Sequence, residues 1–135
     1  MKEFAITITG LAGAAVAHAL GGWDMALQSL LIFMAADYAS GMILAGVFKK
    51  SKHGSGAISS KQCWRGLVKK GMQLLLVLAA YRLDLIAGTD FVRMAVIIAF
   101  ISSELISLTE NAFLMGIPVP PALRKALEVL NYPKK

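Results

Sequence analysis

Two carboxylic acids lie deep inside apolar stretches of the sequence, where a charged group is costly. Asp37 comes about thirteen residues after the second apolar stretch begins, and Glu104 comes about thirteen residues after the fourth begins. If both stretches are helices with a rise of ~1.5 Å per residue, each carboxylate lies ~20 Å from the start of its helix. An ionisable group in such surroundings needs a partner or water. The two acids can therefore form a wet or protonatable site, or serve as neutral, hydrogen-bonded packing groups.

A stripe of polar side chains follows one face of the fourth apolar stretch. Its members recur at spacings of three and four residues, which places them on one side of a helix. Such a face must meet protein or water rather than lipid. A single small chain offers little interior for it, so self-association is the expected answer. We predict that a pore lining or an interface between copies contains Asp37, Ser40, Gly41, Ser103, Glu104, Ser107, Glu110 and Asn111.

The composition indicates where these residues act. The chain has 135 residues, of which 57% are apolar and 16% are charged. Soluble domains have about 45–50% apolar and about 25% charged residues. A soluble globule this small keeps much of its surface in water and needs more polar residues, and a disordered chain is poorer still in apolar residues. The composition therefore predicts a single membrane domain.

Four apolar segments are long enough to be considered as membrane spans, since a helix needs about 17–25 predominantly apolar residues to cross a bilayer. They cover residues 4–20, 25–48, 67–87 and 91–115. The first can be a retained span, a cleaved signal peptide or an interfacial helix, because Ala17-His18-Ala19 resembles a cleavage site. We predict an all-α integral membrane protein with about four transmembrane helices, or three if the first segment does not span.

Basic residues predict the orientation of these segments. The net charge is +6, and the loop 49–66 and the start of the next segment contain no acid. The positive-inside rule keeps such a loop in the cytoplasm, facing anionic lipid headgroups. This topology explains the basic residues better than a nucleic-acid partner does, and we expect none. The residues concerned are Lys49, Lys50, Lys52, Lys61, Arg65, Lys69 and Lys70.

The tail, residues 119–135, is also basic. Prolines end the fourth segment and suit the first turn of a new helix. Apolar residues then recur at helical spacing with basic residues opposite them, which predicts a short amphipathic helix on the inner leaflet. The basic loop and the basic tail are thus expected on the same side of the membrane.

The sequence offers little for catalysis or for a cofactor. His18, His53 and Cys63 do not fall at metal-ligand spacing, and no nucleophile motif joins a serine to a histidine and an acid. We therefore expect no enzyme activity, no cofactor and no metal site.

Several elements occur together in one order. The second segment contains Asp37-Tyr38-Ala39-Ser40-Gly41, and the fourth contains a Glu-x-x-Ser-x-x-Glu-Asn element over residues 104–111. Between and after them come Lys49-Lys50-Ser51-Lys52, Ser55-Gly56, Ser60-Lys61 and Gly116-Ile117-Pro118-Val119-Pro120. Over about residues 27–130 this combination resembles the toxin-secretion/phage-lysis holin family.

The resemblance implies a homo-oligomer in the bacterial cytoplasmic membrane that opens lesions. A peptidoglycan hydrolase (endolysin) or a protein toxin would then leave the cytoplasm. Two alternatives remain open from the residues: a small transporter or channel subunit that uses Asp37 and Glu104 as a proton or cation relay, and a membrane adaptor whose basic loop recruits a partner. A further hypothesis makes the two acids partly neutral in a closed state, so that collapse of the membrane potential or a change in proton balance sets the time of opening.

Overall fold

The structure is a computed structural model that describes residues 1–52 and 58–131, with side chains described as far as residue 129. All the regular elements in this part of the chain are helices, which confirms the all-α expectation. The Ser55-Gly56 element and residues 132–135 of the tail lie outside the described residues. The five helices are α1 (Lys2–Ala19), α2 (Met25–Gly46), α3 (Ser60–Ala87), α4 (Val92–Leu114) and α5 (Pro121–Asn131).

Local signals explain where the helices begin and end. The carboxylate of Asp24 accepts a hydrogen bond of 3.0 Å from the backbone N–H of Leu27 and so caps α2, as aspartate does at many helix starts. Gly88 ends α3 in the left-handed conformation at φ 68°, which glycine adopts without steric cost. Pro121 opens α5, where its missing N–H is no loss.

Helix α4 is the centre of the packing. It lies against α2, α3 and α5, and α2 also touches α3. Close packing of apolar side chains between α2, α3 and α4 forms the core. Its buried members are Leu20, Leu27, Leu30, Met34, Val77 and Ile97.

Helix α1 stands apart from this core. It contributes no buried residue, and a Cβ added at Gly10 or Gly13 would meet nothing within 4 Å. The first apolar segment is therefore a helix whose body does not join the packed core formed by α2, α3 and α4. Its last residue, Leu20, follows the end of α1 and is buried in that core.

Two helices in the described part of the chain are long and apolar enough to cross a membrane, Met25–Gly46 and Val92–Leu114. Length and composition thus support two of the four expected spans. The other two helices are not apolar enough over the length of a span, because each contains charged residues. Lys2 and Glu3 lie in α1, whereas α3 carries basic residues in its first half and Arg82 and Asp84 near its end.

Helix α3 is longer than the sequence predicted. It begins at Ser60, whereas the apolar pattern placed the loop at 49–66 and the segment start at residue 67. Hydropathy marks only where apolar side chains begin, but lysine, glutamine and arginine also favour helix and extend it. The helix therefore starts seven residues before the predicted apolar segment. Four of the basic residues lie on α3: Lys61, Arg65, Lys69 and Lys70.

Candidate functional site

An ion cluster joins the three packed helices. The Nζ of Lys70 on α3 lies 2.9 Å from Oδ2 of Asp37 on α2 and 2.7 Å from Oε2 of Glu104 on α4. One ammonium can reach both carboxylates only if they lie at the same level of the bundle. The expectation that Asp37 and Glu104 lie at a similar depth is thus confirmed. We call these three residues the triad.

The helix faces that form the core also point the triad inwards. On α3, Lys70 precedes buried Val77 by seven residues, which is close to two helical turns. On α4, Glu104 follows buried Ile97 by the same interval. The triad therefore lies on the same helix faces as the apolar core and extends that core with charged side chains.

The triad is well shielded from solvent and unequal in charge. The exposed fraction of the side chain is 15% for Lys70, 15% for Asp37 and 5% for Glu104. Two carboxylates and one ammonium leave the ionised triad with a formal charge of −1. Desolvation makes such a cluster stabilising only while every member keeps its partners, and removal of one partner from a buried pair costs about 3–5 kcal/mol.

An amide extends the polar layer from the triad towards the C-terminal end of α4. The Nδ2 of Asn111 donates to Oδ1 of Asp37 over 3.2 Å and to the hydroxyl of Ser40 over 2.8 Å. The Ser40 hydroxyl donates in turn to the backbone carbonyl of Asp37 over 2.9 Å. Gly41 lies beside the same amide, with space for a Cβ 3.8 Å from Nδ2.

The segment after α2 folds back onto α4. Lys52 donates to the backbone carbonyl of Ser107 over 2.9 Å and to its hydroxyl over 2.7 Å, and its Nζ lies 3.2 Å from Oε2 of Glu110. Lys50 donates to the carbonyl of Leu114 over 3.2 Å, in the last turn of α4. Glu110 keeps 57% of its side chain exposed, so its ion pair contributes little to stability.

The structure brings together most of the predicted polar stripe, but within one chain. Glu104 and Asn111 are buried, and their partners come from α2 and α3. The inference that a single chain lacks the interior to satisfy this face was therefore wrong. Ser103 is exposed, as is Glu110 on the same side of the helix.

The predicted basic group divides into two kinds of residue. Lys50, Lys52 and Lys70 bond to other helices, as described above. The sequence analysis did not predict the role of Lys70, because this residue lies in a run of basic residues. Its distance of seven residues from a core valine is nevertheless a signal that its side chain points inwards. The others are exposed: Lys49, Lys61, Arg65 and Lys69.

A second polar cluster, also missed from the sequence, closes the opposite end of the bundle. Arg93 on α4 donates to the carbonyls of Leu20 and Gly22 over 2.5 and 3.1 Å, and to the carboxylate of Asp24 over 2.6 and 3.2 Å. The Arg93 guanidinium lowers the pKa of Asp24 below its ordinary value of 3.8. Asp84 accepts from the backbone N–H of Arg93 over 2.8 Å. The chain between α1 and α2 is thereby tied to the beginning of α4.

The polar groups of both clusters bond to protein atoms. Within residues 1–52 and 58–131 no three His, Cys, Asp or Glu side chains lie close enough together to hold a metal ion. The triad holds one ammonium between two carboxylates, and its three members come from three different helices.

Comparison with known proteins identifies the relatives of this fold. An uncharacterized protein of Listeria innocua is 36% identical over 120 residues, which cover 88% of this chain and 81% of the relative. An uncharacterized 14.9 kDa protein of Clostridium perfringens is 38% identical over 116 residues, covering 84% of this chain and 83% of the relative. A protein of Bacillus phage phi105 named as a probable holin is 29% identical over 106 residues, covering 78% and 73%.

No solved structure matches the chain. The sequence profile of the bacteriophage holin family matches residues 14–132, which include α2 to α5 and every member of the triad. The chain therefore belongs to the bacteriophage holin family.

Proposed function

We propose that this protein is a holin that self-associates in the bacterial cytoplasmic membrane and opens lesions through which a peptidoglycan hydrolase leaves the cytoplasm. Family membership supports the role. The observation that carries the mechanism is the polar face of α4, which bonds to α2, α3 and Lys52 of its own chain. Such a face gives the protein a closed state in which each chain satisfies these polar groups itself, without contacts to a second copy.

On opening, hydration and contacts between copies would replace these hydrogen bonds and ion pairs within the chain. Glu104, Ser107, Glu110 and Asn111 lie on this face or at its edge and would line the lesion. The closed state holds its charges in a dry layer where each bond is strong, so opening requires the triad to separate. A high density of protein in the membrane would favour opening, because contacts between copies replace those that are lost.

The proposed topology has four spans with both termini in the cytoplasm. α1 has 18 residues and, at ~1.5 Å per residue, is ~27 Å long, which is close to the ~30 Å hydrocarbon core. α3 would cross with its second half while its basic first half stays on the inner side. Lys49, Lys61, Arg65 and Lys69 would then face anionic headgroups, in accord with the positive-inside rule.

Leucine replacement of single acids separates insertion from lesion formation. Glu104→Leu leaves Lys70 paired with Asp37, so the closed bundle keeps a balanced ion pair. Glu110→Leu removes an exposed acid at the edge of the face. We expect both variants to insert normally but to abolish escape of a cytoplasmic hydrolase that lacks its own export signal. Glu3→Leu, at an exposed position on α1, is the matched control and should release the hydrolase as the parent does.

The assay also distinguishes the alternatives. Hydrolase release from both leucine variants at the parental rate would contradict the proposed lumen. Proton or cation flux without release of any macromolecule would instead favour the transporter or channel, in which the buried triad would serve as the relay. Absence of both flux and release from the parent chain would favour the adaptor.

A further inference from the structure

An open groove of about 490 Å³, called the cavity below, lies beside the C-terminal end of α4. Residues of α4, of the segment after α2, of α5 and of the turn before α5 line it. Apolar side chains provide most of its wall, and two cations and one acid lie among them. The lining residues are Lys52, Thr109, Glu110, Phe113, Leu114, Val119 and Arg124.

The charges at the cavity are not balanced. Lys52 is paired with Glu110 and bonded to Ser107. Arg124 is exposed, and among the residues that the structure describes no carboxylate lies within ion-pair distance of its guanidinium. The lining therefore carries one uncompensated positive charge next to an apolar wall.

The turn between α4 and α5 holds this arrangement in place. Gly116 adopts a φ of 85°, and the N–H of Ile117 donates to the carbonyl of Ala112 over 2.9 Å. α5 then packs against α4 with Leu123 and Leu127 half-buried. Arg124 lines the cavity, whereas the next residue along the helix does not.

We propose that this cavity binds one anionic phospholipid of the inner leaflet, with the phosphate at Arg124 and the start of an acyl chain along Phe113, Leu114 and Val119. A guanidinium forms two parallel hydrogen bonds with a phosphate, and the apolar wall suits a chain that arrives from the bilayer. The volume is in the range of ligand pockets, about 300–1,000 Å³. The proposal rests on α4 crossing the membrane and does not depend on lesion formation.

Native mass spectrometry of the full chain, released from a neutral detergent, measures lipid retention directly. Phosphatidylglycerol is the probe, and phosphatidylcholine and inorganic phosphate are the comparison ligands. Arg124→Gln removes the free cation, and Lys125→Gln makes the same charge change on the neighbouring residue outside the cavity. We expect the parent and Lys125→Gln to retain one phosphatidylglycerol, and Arg124→Gln to bind it at least about tenfold more weakly.

Three results would overturn the proposal. Equal loss in the two glutamine variants would mean that surface charge alone attracts the lipid. Equal retention of phosphatidylcholine would mean that the cavity does not select net negative charge. Inorganic phosphate that protects the chain against thermal unfolding as well as the lipid does, in an Arg124-dependent manner, would mean that no acyl chain is bound. Since hydrolase release is not the readout, any of these results would leave the proposed holin function standing.

Discussion

Replacement of Lys70 by methionine tests the triad most sharply. Methionine keeps the length and the apolar stem of the side chain but removes the ammonium between Asp37 and Glu104. Two carboxylates, 2.9 and 2.7 Å from the lost Nζ, are then left buried and facing each other. The change should therefore destabilise the closed bundle.

The burial of the three side chains sets the size of the effect. Because none of them is more than 15% exposed, solvent does little to screen the loss. Breaking a buried pair by removal of one partner costs about 3–5 kcal/mol. That corresponds to a loss of about two to three and a half orders of magnitude in the folding equilibrium constant.

Titration of the purified protein with a denaturing detergent in mixed micelles measures this free energy of unfolding. Lys69→Met is the matched control, since Lys69 is exposed and its replacement makes the same chemical change. The triple variant Asp37→Asn, Lys70→Met, Glu104→Gln removes all three charges and should regain most of the lost stability. In cells, Lys70→Met should advance the onset of lysis because the closed state is weakened.

Equal unfolding midpoints for Lys70→Met and Lys69→Met would refute the assignment of Lys70 as the partner of the two acids. A triple variant as unstable as Lys70→Met would refute the electrostatic origin of the effect, because only packing would then remain as the cause.

Two further predictions concern the cluster around Arg93. Gly21→Ala should destabilise the chain by about 1–3 kcal/mol, because Gly21 has a φ of 100° and an added Cβ would overlap the Arg93 side chain. Gly13→Ala, in open space on α1, should not lower the thermal midpoint, because alanine is favoured over glycine inside a helix. Asp24 has a lowered pKa when folded, so its ion pair stabilises the folded chain above pH 3.8, and this contribution is lost as the pH falls below 3.8 and through the folded pKa. Asp24→Asn should flatten that part of the stability curve, and an unchanged acid limb would argue against the pair.

Hydropathy and helical spacing predicted the elements that depend on the chain's own pattern. α2 and α4 have bounds within two residues of the predicted segments, and the common depth of Asp37 and Glu104 follows from helical rise alone. The expected amphipathic helix in the tail is present as α5. These features need no knowledge of how one helix faces another.

The features that the sequence did not predict depend on contacts between helices. Lys70 lies in a basic run that has the composition of a loop, and only the packing of α3 on α4 turns it inwards. Arg93 lies near the start of the fourth apolar segment, where a cation ordinarily reaches the membrane surface. It is nevertheless buried, because the carbonyls of Leu20 and Gly22 and the carboxylate of Asp24 surround its guanidinium. The number of spans likewise does not follow from mean hydropathy alone. Lys70 and Asp84 form bonds inside the bundle, and their charges lower the mean hydropathy of α3.

Water access to the inner face of α4 tests the central claim most directly. The measurement is the rate at which a membrane-impermeant thiol reagent labels Ser107→Cys, in a chain whose own cysteine is replaced by Cys63→Ser. Ile98→Cys, exposed on the outer side of α4, reports the lipid-facing surface. We predict slow labelling of Ser107→Cys before lysis, fast labelling once lesions open, and no change for Ile98→Cys. Labelling of Ser107→Cys at the same rate before and after the lesions open would contradict the account.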